Sequence, residues 1–172
     1  EAKKLDVGLE LGLFNALNIE AAYFTEDRTG IFMRRTSLPS STGLLGVTPY
    51  GNIGRVKSHG VDLSAVYNKQ FNKDWSLSLR GTFTFSRNEV VEKDEGDLMY
   101  DYMSVVGHPV NAITGVLVAD GLFTSQEEID NSPRQTFMPD YLPGDIKYRD
   151  LNGDGVIDAN DRTSLGYPPV PE

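Results

Sequence analysis

The residues best placed to do chemistry lie in the last quarter of the chain, in the run Asp150-Leu-Asn-Gly-Asp-Gly-Val-Ile-Asp-Ala-Asn-Asp161. Asp150, Asn152 and Asp154 occupy the first, third and fifth places of a twelve-residue stretch. A calcium loop sends its first side-chain oxygens from those places. Gly155 permits the sharp turn, Val156 offers its backbone carbonyl, Asp158 ligates directly or through water, and Asp161 closes the set. The match to D-x-[DN]-x-[DN]-G-x5-E fails only at the end, where Asp161 stands in place of Glu. Its shorter side chain makes two-oxygen ligation harder. The chemistry expected is structural Ca2+ binding, against a fortuitous acidic turn as the bland alternative. Ile157 is expected to point back into an apolar contact. Pro143 and Gly144 before the run, and Gly166, Pro168 and Pro169 after it, leave no room for a full helix–loop–helix hand.

Nothing else in the 172 residues has the makings of a reaction. There is no Cys, which excludes disulfides, thiol nucleophiles and thiolate zinc sites. The two His, His59 and His108, stand beside Gly60 and Pro109 and read as polar turn residues. A Gly-x-Ser-x-Gly elbow, a phosphate loop and an H-E-x-x-H pair are all missing, so no enzyme is expected. The net charge of −9 argues against nucleic acid as a partner. That charge is uneven: residues 1–87 carry 11 basic and 8 acidic side chains, and residues 88–172 carry 5 and 17.

The elements that must carry the acidic half come before it. Leu5, Val7, Leu9, Leu11 and Leu13 alternate with Asp6, Gly8, Glu10 and Gly12, a period of two that only a strand turns into one apolar face. The pattern resumes after residues 14–16 with Leu17, Ile19, Ala21 and Tyr23. It returns in Val61, Leu63, Ala65 and Tyr67, then in Trp75, Leu77, Leu79, Gly81, Phe83 and Phe85. Phe24 breaks the alternation and is expected on the wet face or at its rim. Residues 1–87 therefore read as four strands in two hairpins, each about 9–12 residues long, the length that crosses a bilayer at a tilt.

A soluble antiparallel sheet would show the same alternation. Three features favour a membrane barrel. The strands are long, the connections alternate short and long, and Phe14, Tyr67, Phe71 and Trp75 gather at the short turns as an interfacial girdle would. No apolar run is long enough for a membrane helix, which says nothing against strands. Four strands cannot close a barrel, so the chain is expected to be a piece of a larger wall with both ends outside. The fold class expected is all-β: antiparallel hairpins from a transmembrane β-barrel with long, partly structured extracellular loops.

Two segments read as those loops. Residues 28–58 are rich in Pro, Gly, Ser and Thr and form an external loop. Residues 88–172 form a long acidic extracellular region carrying the calcium-type loop at 150–161. Residues 92–97 read as a solvated acidic run, and 125–130 as one or two helical turns capped by Thr124 or Ser125. So long a segment needs organisation of its own.

At this point the residues resemble a family. Pro49-Tyr-Gly-Asn-Ile-Gly-Arg-Val-Lys-Ser-His-Gly-Val-Asp62 is similar to the N-x-G-x-V-x-N-x-G-V-E stretch of SusC/RagA-type TonB-dependent outer-membrane transporters. It departs at Ser58 and Asp62, where Asn and Glu are common. The run from Leu142 to Asp158, Gly166-Tyr-Pro-Pro-Val-Pro-Glu172, Gly121-Leu-Phe and Gln126-Glu-Glu-Ile-Asp-Asn-Ser-Pro133 resemble it too. The resemblance implies a barrel of about 22 strands with an N-terminal plug. It implies import of glycans or peptides across the bacterial outer membrane, a SusD-like surface lipoprotein as lid, and TonB reached through the plug. This chain would be part of the C-terminal half of the wall, without plug and not transport-competent alone. The alternative is a soluble extracellular calcium-binding interaction module.

Overall fold

The computed structural model describes residues 1–37 and 49–169. Four long strands make one antiparallel sheet in sequence order: β1 (Ala2–Leu13), β2 (Leu17–Arg34), β3 (Tyr50–Gln70) and β4 (Ser76–Glu92). The hairpin ends are tight. Between β1 and β2, Phe14 and Asn15 both take positive φ, and Ala16 N–H closes the turn on the Leu13 carbonyl at 3.1 Å. Between β3 and β4 the Asn72 side chain does the folding, its Oδ1 accepting the N–H groups of Asp74 and Trp75 at 3.0 and 2.8 Å.

Register carries the period of two across all four strands. Leu9, Ala21, Leu63 and Phe83 stand side by side, flanked by the rows Val7–Tyr23–Val61–Phe85 and Leu11–Ile19–Ala65–Gly81. Directly paired residues share a face, so these rows form one apolar surface. The opposite face carries Gly8–Ala22–Asp62–Thr84 and Glu10–Glu20–Ser64–Thr82. Among the described residues nothing covers the apolar face: Leu9 is 58% exposed and Phe83 57%.

The strands outrun the sequence expectation. Of residues 28–58, expected as one external loop, the described ones are mostly strand: β2 continues to Arg34 and β3 begins at Tyr50. Register shifts between Arg28 and Ile31, and opposite them at Arg55 and Val56, absorb the Gly and polar residues that read as loop chemistry. Gly30 sits in the first of these shifts at φ +64°. Residues 38–48 of that expected loop lie outside the described residues. Phe24 lies on the polar face, as expected, where it pairs with Asp6 and Gly60.

Above the sheet, residues 93–169 fold into a cap of short pieces. It contains β5 (Val116–Leu117), β6 (Ala119–Leu122), α1 (Gln126–Asp130), β7 (Arg134–Gln135), β8 (Ile146–Tyr148), β9 (Val156–Ile157) and β10 (Arg162–Thr163), with 3-10 turns at Asp101–Met103 and Ala159–Asp161. The strands pair as β5 with β10, β6 with β8 and β7 with β9. Ser125 caps α1, its side chain accepting Glu128 N–H. The small core holds Phe123, Ile129 and Ile157 around a buried Gln135. That amide fastens β7 to β8, donating to the Ile146 carbonyl at 3.2 Å and accepting Tyr148 N–H at 3.1 Å.

The acidic run after β4 is a bracket rather than a solvated tail. Asp94 accepts Ser37 N–H at 2.9 Å and lies 3.8 Å from Arg35, while Glu95 takes Val105 N–H at 2.8 Å and the Ser104 hydroxyl. The cap also adds to the free edge of β4: Val90 N–H donates to His108 and its carbonyl accepts Gly107 N–H.

Gly60 is a point where the sheet tolerates no side chain. A Cβ there would fall under 3.0 Å from the Phe24 ring and from the Phe85 carbonyl, whereas a Cβ at Gly81 meets nothing within 4 Å. Gly60→Ala in the intact protein is expected to cost about 1–3 kcal/mol. Gly81→Ala is expected to stay within about 0.5 kcal/mol of the parent. Unfolding titrations of both variants check the pair, and equal effects would mean that Phe24 does not pack on Gly60.

Candidate functional site

The twelve-residue loop is held open at its base by the cap core. β9 places Ile157, 1% exposed, in that core, as the sequence requires. Arg134 and Thr136 donate their N–H groups to the carbonyls of Gly155 and Ile157. Carbonyls alternate along a strand, so the Val156 carbonyl between them turns to the other side. Gly153 and Gly155 take φ of +77° and +83°, a region that favours glycine.

The loop's acids are turned onto its own backbone. Asp150 accepts Gly153 N–H at 2.6 Å and Gly155 N–H at 2.8 Å, one on each carboxylate oxygen. Asn152 Oδ1 accepts Asp154 N–H at 3.0 Å, and its amide donates to Asp154 Oδ2 at 2.9 Å. Asp154 Oδ1 takes Val156 N–H at 2.8 Å, and Asp158 Oδ1 takes Asn160 N–H at 2.7 Å. Asp161, fully buried, accepts Leu151 N–H at 2.8 Å and Asp158 N–H at 2.9 Å, so its two oxygens close the loop on itself. Asp158 and Asp161 form a reciprocal capping box around the 3-10 turn.

The donor types and spacing fit a hard, oxygen-seeking cation, and no basic side chain among the described residues pairs with any of the four carboxylates. In this conformation no group of three or more His, Cys, Asp or Glu side chains among the described residues converges to hold a metal. Ligation would need Asp150 and Asp154 to turn inward from their backbone contacts. Two tyrosines close the loop's flank, with rings stacked at 5.1 Å. Tyr102 donates to the Asn160 carbonyl at 2.6 Å, and burial together with the charge of Asp161 pushes its hydroxyl pKa up. At α1, the Thr124 N–H and hydroxyl bonds and the Lys147 ammonium hold the Glu128 carboxyl down to about 2.

A second surface is the polar face of the sheet. Glu10, Glu20, Asp62, Ser64, Thr82 and Thr84 line a concavity of about 510 Å³, floored by Gly8 and Ala22. Small residues make the hollow, and acids and hydroxyls supply its hydrogen-bonding groups. The sequence reading placed His59 in a turn, yet it lies within β3, paired with Thr25 and Arg87. The alternation that places His59 on the face of Val61 was the signal for this. His108 does occupy a turn.

Comparison with known proteins bears on both surfaces. The family model "TonB dependent receptor-like, beta-barrel" matches residues 1–167. TonB-dependent receptor P3 of Formosa agariphila is 29% identical over 178 residues, covering 97% of this chain and 17% of the relative. TonB-dependent receptor P26 of the same organism is 28% identical over 176 residues, covering 95% and 17%. The chain thus spans about a sixth of the curated relatives it matches. Among solved structures, the RagAB peptide importer in a closed-closed state superposes with a TM-score of 0.62 at 20% identity, covering 97% of this chain and 18% of that one. The RagAB peptide transporter gives 0.64 at 19%, with the same coverage. These likenesses show the same fold: an open piece of an antiparallel barrel wall. With its model matched from the first residue to the 167th, the chain belongs to the TonB-dependent receptor-like β-barrel family.

Proposed function

We propose that this chain is a section of wall and external cap from a TonB-dependent importer of the bacterial outer membrane. The whole protein takes up glycans, peptides or similar nutrients and works with a SusD-like surface lipoprotein as lid. TonB acts through a plug elsewhere in the protein, and the wall section does not transport alone. The observation that carries this reading is the uncovered apolar face. From the Lys69–Leu77 row to the His59–Arg87 row the strands advance ten residues. That is about 33 Å along the strand, and about 25 Å across a bilayer at the tilt usual for such barrels. Charged side chains bound the band at both ends. A soluble module would need something to cover the band, and an apolar patch of this extent does not face water in a monomer.

The polar face then lines the lumen. Arg at Leu63 or Leu9, in the middle row, is expected to cost about 2–4 kcal/mol in the folded barrel. Arg at Ser64 or Gly8 is expected to cost clearly less, since a Cβ at Gly8 has 3.9 Å to its nearest neighbour. Folding titrations of the full-length barrel in bilayers compare the faces, and equal costs on both would overturn the assignment.

The cap faces outward in this reading, where divalent cations are plentiful. Ca2+ would be held by Asp150, Asn152, Asp154, the Val156 carbonyl, Asp158 and Asp161, and would offset the charge of four carboxylates. Calorimetry on chelator-treated protein is expected to give a dissociation constant of about 10⁻⁴–10⁻³ M. Asp154→Ala is expected to abolish the heat, and an unchanged titration in that variant would refute the site.

The cap is also the surface on which the lipoprotein docks. Single cysteines at Asp130 and Asp140, both exposed, are expected to react on intact cells with an impermeant maleimide. One at Asn72, in the opposite turn, is expected to stay unlabelled. Labelling of the cap is expected to fall when the lipoprotein is present. Labelling at Asn72 alone would invert the topology.

A further inference from the structure

A further cavity lies apart from the two surfaces described so far. It holds about 580 Å³ and opens at the outer end of the apolar face, between β3, β4 and two cap segments. His59, Arg87 and Glu89 form its floor, with His108 and Pro109 on one side and Tyr167 and Pro168 on the other. Arg87 and His59 are direct cross-strand partners in the first row beyond the apolar band. The Arg87 guanidinium sits 5.6 Å from the centre of the Phe85 ring, which belongs to the last apolar row. Among the described residues neither Arg87 nor His59 makes an ion pair. Several bases nearby are engaged: Arg35 with Asp94, Arg55 with Asp27, Lys147 with Glu128 and Arg149 with Asp120.

We infer that this cavity binds the phosphorylated headgroup of a membrane lipid, with the acyl chains lying along Phe85, Val61 and Phe83 below it. The inference rests on the lipid-facing reading of the apolar face. Three features support the assignment, and the first and third of them favour a lipid over a free anion. The cation is fixed on an aromatic ring at the edge of the apolar band, where a headgroup phosphate would lie. Guanidinium geometry suits phosphate oxygens and gives two parallel hydrogen bonds. Pro109, Tyr167 and Pro168 give the cavity an apolar wall, which an inorganic anion would not use. Glu89, the carboxylate of the cavity floor, lies opposite Lys57 in the next row.

The test uses the full-length protein in detergent, with dioleoyl phosphatidic acid and dioleoylglycerol as probes that differ only in the phosphate. Native mass spectrometry is expected to show phosphatidic acid retained and diacylglycerol lost. Arg87→Ala is expected to lower retention about fivefold, the effect of one basic residue at an anionic membrane surface. Arg87→Lys is expected to restore part of it, and Arg80→Ala on the opposite face to change nothing. Equal retention by the parent and Arg87→Ala, or an equal fall in Arg80→Ala, overturns the inference. Displacement of the lipid by excess inorganic phosphate also overturns it in favour of a free-anion site. A fluorophore on Phe83→Cys, with brominated acyl chains as quencher, separates the two readings. Quenching with no effect of Arg87→Ala removes the lipid site alone, and no quenching removes the face assignment together with it.

Discussion

Backbone hydrogen bonding between four long strands is the constraint that the rest of the molecule obeys. In hydrocarbon an unpaired N–H or carbonyl costs several kcal/mol, so a strand that crosses must be paired on both sides. Here β2 and β3 are, while β1 and the lower part of β4 each present a free edge. Such edges are tolerable only if further strands continue the wall. The tight turns follow from the same demand. Asn72 and the Leu13–Ala16 bond satisfy the polar groups of each reversal within a few residues, leaving no loose backbone near an apolar surface.

Once pairing fixes the register, side-chain chemistry separates into two faces without further instruction. A slip of one residue would move Leu9, Leu63 and Phe83 to the face of Glu10, Ser64 and Thr82. Gly60 and Phe24 help to hold the register, because the ring fits only where its cross-strand partner lacks a Cβ. The register shifts near Arg28 and Arg55 lie beyond the apolar rows, where the strands leave the band and bend toward the cap. Irregularity is thus confined to the part of the sheet that water can reach.

Much of the wall was legible because a period of two in residues 5–13 and 75–85 has no other structural meaning. The strand ends in 28–58 were not, since Gly51, Gly54 and Gly60 look like loop residues unless the facing Met33 and Phe24 are known. His59 was misjudged for the same reason: a neighbouring glycine suggested a turn, while its register partner Arg87 lay 28 positions away. The loop at 150–161 offered its candidate ligands by spacing alone. What sequence could not supply was their orientation, because Asp150 and Asp161 choose between backbone N–H groups and a cation by geometry that spacing does not encode. The bracket made by Asp94 and Glu95 was hidden in a charge run, where a solvated face and a structural clamp have the same composition.

The charge distribution links the wall to the cap. Residues 88–172 hold 17 acids against 5 bases, and two of those bases, Lys147 and Arg149, are held by Glu128 and Asp120. Arg35 and Arg55 of the wall add ion pairs to Asp94 and Glu92 at 3.8 and 3.6 Å, and backbone groups do much of the rest. Asp94 and Glu95 use backbone N–H groups and hydroxyls, as do the four carboxylates of the loop. Backbone N–H groups satisfy lone pairs but carry only partial charge, so they leave the field of a buried Asp161 largely uncancelled. Beyond about 8 Å, salt would screen that field in water, but screening is much weaker for a buried group. A positive charge near such a loop would lower its electrostatic energy by Coulomb attraction. The cap therefore keeps an excess of acids by composition, while the last row of the sheet beyond the apolar band carries the Arg87 guanidinium. An acidic cap above a sheet whose two faces are set by register is thus the charge arrangement that composition and strand pairing together produce.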